Sequence, residues 1–284
     1  VSDSKTDSVA INSFEDYRSM PGMNWSTLKW ARKCIHSMRR VQKASQSSTS
    51  EMQFGQDVHS ALLEPRDFQQ TVTPAPAGLR RGTNEWKRLA EEAKQNGYRL
   101  MKYDDYVSIM DIISSVNQNP DAKRLIYETD GVSEASVQWT DPGSGLLLKA
   151  RIDRFITQGR TFQKNAQMIV DVKTTQDVGG LSKRLVQWPY MYLHQMAYYR
   201  RAVRAVTDSD EVDVSILAVE KGPGHPTAVF QLDSSDMDIA DREIDALLYT
   251  VAEAELIGPS TEQYESTTLR PPQWWTDKQQ GATE

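Results

Sequence analysis

Three side chains in the middle of the chain stand at spacings that could do chemistry: Asp153, then Asp171 and Lys173 in the run Asp171-Val172-Lys173. The segment 167–173, QMIVDVK, reads as a strand, on which side chains two apart share a face. Asp171 and Lys173 then point one way, and Val170 and Val172 turn into the core. By the same rule Lys149, Arg151 and Asp153 share a face of the preceding segment, GLLLKARIDRFI at 145–156. The chain between the two aspartates is long enough for a hairpin, which would set both carboxylates together beside a lysine. Two such carboxylates repel unless a cation sits between them. Oxygen donors of this kind suit Mg²⁺ or Mn²⁺. Lys173 could then orient or activate a water, or offset charge developing on a phosphate. That chemistry suits phosphodiester hydrolysis, although surface pairs of this type are common and the pattern alone is only moderately specific.

Other residues bear on the same site. His59 lies on the apolar helix pattern FGQDVHSALLEP, four residues after Gly55. It is either a half-buried, satisfied histidine or an imidazole aimed at the metal, with Gly55 leaving room on that face. Gln195 and Tyr199 are four apart, hence on one helix face. They either bond a phosphate or nearby backbone, or form a polar stripe over the sheet. His194 would face elsewhere. Glu134 opens the first strand and is either a further acidic contact or a surface carboxylate.

The elements that must position these groups divide the chain. Helices are expected at 25–43 with a start at Ser26, at 52–63, at 84–96 and at 104–118 with Asp104 near its cap. KASQSSTS at 43–50 reads as a linker and TVTPAPAGLRRGT as a loop. Pro65 ends the second helix or follows its end. Strands are expected at 134–139, 145–156, 167–173, 212–219 and 227–232. Helices are expected at 183–206, with a break or restart at Pro189, and at 236–256. The fold class is α/β (α+β), a central mixed sheet flanked by helices with further helices at the N-terminus. Residues 1–20 read as a disordered or extended N-terminus, and 277–284 as a flexible tail. Residues 21–276 read as one domain, mainly helical over 21–120 with a sheet-bearing core at 134–257.

Composition narrows the classes. The 284 residues are 38% hydrophobic and 25% charged, enough to bury a core and too apolar for a disordered tail. No run of eighteen apolar residues exists, so no membrane partner is expected. The polar N-terminus lacks a signal-peptide core, and a cytoplasmic location fits. One cysteine, Cys34, excludes a disulfide framework and an iron–sulfur cluster. The net charge of −6 argues weakly against nucleic acid, but it hides an asymmetry. Residues 208–265 sum to −13 and the first 207 to +7. Three basic stretches, 24–50, 80–102 and 181–204, either converge on one polyanion-binding face or are solvated helix faces.

The ordered pieces FGQDVHSALLEP, SEASVQWTD, GLLLKARIDRF, IVDVKTT and QMAYY, followed by VEKGPG and RPPQWW, resemble the PD-(D/E)XK nuclease superfamily. Within it they are similar to phage-type RecE (exonuclease VIII) exonucleases and their RecB-like relatives. NWSTLKWA looks like the opening helix of that group, and the resemblance covers roughly residues 20–276. It implies a restriction-endonuclease-like core. His59, Asp153, Asp171 and the Val172 carbonyl would hold one or two Mg²⁺ ions, with Mn²⁺ able to substitute. Lys173 would be the catalytic lysine, and Gln195 and Tyr199 would position the DNA strand. Glu134 would lie near a second metal or the DNA. The implied activity is digestion of linear double-stranded DNA from a 5′ end, leaving a 3′ overhang. A ring-like homo-oligomer, a single-strand annealing protein as partner and a viral or prophage origin come with it. Cluster-bearing relatives are disfavoured by the single cysteine, and no helicase motif is present.

Rival expectations are a single-strand or structure-specific nuclease or an endonuclease on the same scaffold, a non-catalytic nucleic-acid binder, and a carboxylate-bearing metabolic enzyme.

Overall fold

The computed structural model describes residues 8–11, 13–44, 49–158, 167–207 and 209–258. The first part is β1 (Ser8–Ile11), α1 (Phe14–Ser19), α2 (Trp25–Leu28), a 3₁₀ turn (Lys29–Arg32) and α3 (Ile35–Lys43). Then come α4 (Ser50–Leu63), α5 (Pro65–Thr71), β2 (Val72–Pro74), α6 (Asn84–Gln95), β3 (Arg99–Met101), α7 (Tyr103–Gln118), α8 (Pro120–Lys123) and a π turn (Arg124–Glu128). The remainder is β4 (Asp130–Thr140), β5 (Leu147–Gln158), β6 (Gln167–Thr175), α9 (Leu181–Arg184), α10 (Tyr192–Val206), β7 (Val212–Glu220), β8 (Thr227–Gln231) and α11 (Ser234–Ile257).

Six strands form a mixed sheet in the order β1-β4-β5-β6-β7-β8. Only β6 and β7 run parallel, joined by a crossover through α9 and α10; the other neighbours are antiparallel. Alternation along the strands feeds two cores. Ile169 of β6 and Ile216 of β7 pack with α2, α3, α10 and α11 on one face. Val170, Val172 and Leu217 pack with α4, α5 and α7 on the other. The expected fold class, a mixed sheet flanked by helices, is what the chain adopts.

Several expected boundaries change. Within the N-terminal segment expected to be disordered or extended, β1 pairs antiparallel with β4 and α1 opens on a capping box between Ser13 and Asp16. The Lys149 ammonium also gathers the carbonyls of Tyr17, Arg18 and Met20 at 3.0, 3.2 and 2.5 Å. The helix expected at 25–43 is three pieces. Asn24 rather than Ser26 caps the first, accepting from Thr27 N–H at 3.0 Å. Cys34 is extended and restarts the chain as the cap of α3. Pro65 opens α5 at its first turn, where a missing N–H costs nothing. The expected loop after it begins as β2, which pairs parallel with β3. Asp104 lies inside α7, whose cap position is Lys102. Pro189 does separate two helices, α9 and α10. The RPPQWW motif, the tail at 277–284, half of the linker (45–48) and the β5–β6 connection (159–166) lie outside the described residues.

Candidate active site

The site forms where two central strands part. β5 and β6 pair from Ile156↔Met168 to Arg154↔Val170. One step further along that register come Asp153 and Asp171. There the Asp153 Oδ2 accepts the Val172 N–H at 2.8 Å, a side chain standing in for a ladder bond. β6 continues beside β7 to Thr175, so Asp171 and Lys173 ride on a fully supported strand. Asp171 is 1% exposed, and its Oδ2 sits 2.5 Å from Lys173 Nζ. Apart from that ion pair, neither Asp171 oxygen has a hydrogen-bond partner. The Lys173 ammonium also lies 5.0 Å over the Tyr192 ring.

Glu134 enters from the other side. β4 pairs Ser133 with Arg154 and Ala135 with Ile152, leaving Glu134 between them at φ 54°. A left-handed conformation costs a non-glycine residue roughly 1–3 kcal/mol, so the surroundings must over-determine it. Here Arg151 Nε holds the Glu134 carboxylate at 2.5 Å. From α4, His59 Nδ1 comes within 3.3 Å of Asp153 Oδ2. A Cβ added at Gly55 would meet Thr174 Oγ1 at 3.4 Å, an ordinary contact, so close packing of α4 on β6 does not by itself demand that glycine. One ligand atom each from His59, Glu134 and Asp153 lie within 4.8 Å of one another. Asp171 stands beside this trio, turned to Lys173. Carboxylate and imidazole donors, largely removed from water, with an Asp171 oxygen, Oδ1, left without a partner alongside, fit a divalent cation.

The electrostatics fit the same cation. Burial, and next Asp153, push the Asp171 carboxyl up to about 6 against the pull of Lys173. Burial also raises Asp153, and burial with the Asp153 charge raises Glu134. Burial and the Lys173 charge lower His59, favouring the neutral ring that can ligate a metal. Burial works against the Lys173 ammonium, but Asp171 and Asp153 outweigh it and hold its pKa above the usual lysine value.

The expected helical pair also faces the site. Gln195 Nε2 donates to the Tyr199 hydroxyl at 2.8 Å, and both line a cleft of 1260 Å³ with His59, Glu134, Asp153 and Lys173. Burial, then the Asp171 and Asp153 charges, raise the Tyr199 hydroxyl well above its ordinary value, so it remains a neutral donor. His194 points away, to Glu243 Oε2 at 2.9 Å and a stack with Trp25.

Sequence reasoning missed Arg151, Glu64, Lys29 and Tyr192. Arg151 carried a signal, since it lies two residues before Asp153 on the same strand face. Glu64 closes the quoted α4 motif and lines the cleft; burial and the Glu134 charge raise its pKa. Lys29 carried a signal only as a member of the basic stretch 24–50, and Tyr192 had no local signal. Two arginines of the third basic stretch, on α10, do not contribute the face they could have. Arg200 is buried against Asp238 at 2.5 Å, and Arg201 meets Asp141, Asp241 and Asp245 at 2.9, 2.9 and 2.7 Å. Those arginines fasten α10 to α11, and Arg32 joins Glu243 of α11 at 3.0 Å.

A family model described as a PDDEXK-like domain of unknown function (DUF3799) matches residues 24–256. No curated protein matches the chain in sequence. Among solved structures, the chain is similar to a "Putative exonuclease" from Eubacterium rectale, at 14% identity and a TM-score of 0.58, over 96% of this chain and 99% of that one. That likeness is one of fold. The structure of SSO0001 (14% identity, TM-score 0.29, 68% of this chain and 85% of that one) and that of protein VC1899 from Vibrio cholerae (12%, 0.26, 87% and 58%) are too distant to carry an argument. Among the described residues no helix is long and apolar enough to cross a membrane.

Proposed function

This chain belongs to the PDDEXK-like family whose model spans residues 24–256, and on that premise we propose that it is a metal-dependent deoxyribonuclease. The observation that carries the reading is the convergence of His59, Glu134, Asp153 and Lys173 on the cleft, with the buried Asp171 paired to Lys173 directly behind them.

Asp153, Glu134 and His59 would hold one Mg²⁺ or Mn²⁺, with Asp171 and the Val172 carbonyl beside them for it or a second ion. Bound there, the metal would polarise the scissile phosphate and acidify a water. Lys173 acts as a cation, not a base, because two carboxylates keep its proton on. Its ammonium orients the attacking water and offsets charge on the phosphate oxygens. Tyr199 accepts from Gln195 and keeps its own O–H free to donate to a backbone phosphate. Arg151 is a positioning residue that holds Glu134 toward the cleft.

The finer reading follows the RecE resemblance. The substrate is linear double-stranded DNA, degraded from the 5′ end to leave a 3′ overhang for a single-strand annealing partner, with a homo-oligomeric ring retaining the duplex. The protein acts as one nuclease domain in the cytoplasm of a host cell. The test uses linear duplexes labelled at either end and closed circles, with Mg²⁺, Mn²⁺ or EDTA. Metal-dependent loss of the 5′ label first is the expected result. No metal-dependent degradation of any substrate would refute the nuclease, and cleavage of closed circles would make it an endonuclease.

A further inference from the structure

Five consecutive residues, Val186-Gln187-Trp188-Pro189-Tyr190, are exposed between α9 and α10. Val186 is 61% exposed, Trp188 38% and Tyr190 40%. Grouped apolar side chains left in water mark a surface that something else covers. The rings are braced from behind. Trp188 meets Trp30 edge-on at 5.0 Å, and Tyr190 meets Tyr192 at 5.7 Å. Cations interleave with them: Arg184 lies 5.1 Å over Tyr190, and Lys29 Nζ donates to the Pro189 carbonyl at 2.8 Å. Residues 178–206 contain no carboxylate.

This surface continues into the cleft. Lys29 touches the Pro189 carbonyl and also lines the cleft, and Tyr192 braces Tyr190 while lying 5.0 Å from the Lys173 ammonium. Exposed π faces alternating with cations suit a polyanion whose units themselves carry π faces. A protein partner would instead need carboxylates placed against Lys29, Lys183 and Arg184.

We propose that Trp188 and Tyr190 are a stacking platform for unpaired bases of a DNA strand whose phosphates pass Lys29 and Arg184 toward Lys173. The site then takes a single-stranded or frayed end in preference to an intact blunt one. This deepens the nuclease reading and rests on it for the identity of the substrate.

The experiment titrates a short single-stranded oligodeoxythymidine carrying 2-aminopurine, in EDTA, against the wild type, the double variant Trp188→Ala/Tyr190→Ala and the single variant Trp188→Phe. Thermal melting establishes that each is folded. The wild type should quench the 2-aminopurine. The double variant should lose the quench and weaken binding by at least tenfold, at roughly tenfold per ring. Trp188→Phe, which keeps an aromatic face, should retain most of both. Unchanged affinity and quench in the folded double variant would overturn the platform. So would a fall in oligomer mass by light scattering with oligonucleotide binding intact, which would make the surface a contact between copies. Parallel digestion of tailed and blunt duplexes in Mn²⁺ separates the two readings. Ring-dependent quenching without any digestion refutes the nuclease and leaves the platform. Digestion of both ends at equal rates by wild type and double variant refutes the platform and leaves the nuclease.

Discussion

Replacing Asp171 by Asn should stabilise the metal-free protein while abolishing cleavage. Asp171 is buried, with two oxygens that no hydrogen bond satisfies, and its carboxyl is pushed from 3.8 up to about 6. The folded state therefore favours the protonated acid more than the unfolded state does. The stability from that proton is fully present below the unfolded value, 3.8, and is lost as pH rises through about 6. At pH 8 the wild type bears the whole cost of ionising a buried group, about 3 kcal/mol at 1.36 kcal/mol per unit. Asn keeps the shape without the charge, and Asp153 remains as a partner for Lys173. A chain of this size should melt roughly 6–12 °C higher at pH 8 in EDTA, taking about 2–4 °C per kcal/mol. The gap should close as pH falls below 6. Mn²⁺ should raise the wild-type melting temperature and close the gap from the other side. Differential scanning calorimetry from pH 4.5 to 8, with and without Mn²⁺, measures all three. An Asn variant no more stable than wild type at pH 8 in EDTA would mean that Lys173 already compensates Asp171, and the argument that the buried carboxylate awaits a divalent cation would fail.

Further outcomes follow from the same geometry. Lys173→Met should cut the single-turnover cleavage rate by about 10²–10³-fold, the usual cost of one preorganised charge, while gel-shift binding of DNA in EDTA largely persists. Tyr199→Phe removes one neutral donor and should lower kcat/KM by no more than about tenfold, with Gln195→Ala adding little to it. Arg201→Met leaves Asp141, Asp241 and Asp245 without their shared cation and should destabilise the fold by about 3 kcal/mol in urea melts. Its cleavage rate per folded molecule at 25 °C should match wild type.

The geometry of β6 was readable because a two-residue period ties Asp171 and Lys173 to one face and Val170 and Val172 to the other, and every residue involved is local. Asp153 needed only one hairpin more. The position of Glu134 was not readable, because it depends on a left-handed kink opposite Asp153 and on an arginine from the next strand. The break at Cys34 was also hidden, since Ala31, Ile35 and Met38 keep helical spacing across it. The basic stretch at 181–204 misled for a related reason. Helical phase alone could not say that Arg200 and Arg201 face α11, because the α11 carboxylates that claim them, such as Asp238 and Asp241, lie 38 to 40 residues or more downstream. The charge asymmetry between the two parts of the chain is thus partly an internal seam, and the surface left for a polyanion is smaller than the count of arginines suggests.

Lys149 gives the molecule a schedule. The three carbonyls it gathers belong to the last turn of α1 and its C-cap, as many as 132 residues earlier in the chain. On a ribosome adding about 5–20 residues per second, that turn waits on the order of ten seconds for the ammonium that will hold it. The same delay applies to Met23, whose backbone bonds join Leu147 and Lys149. The wall of the cleft next to Lys29 is therefore made early and seated only once β5 has emerged.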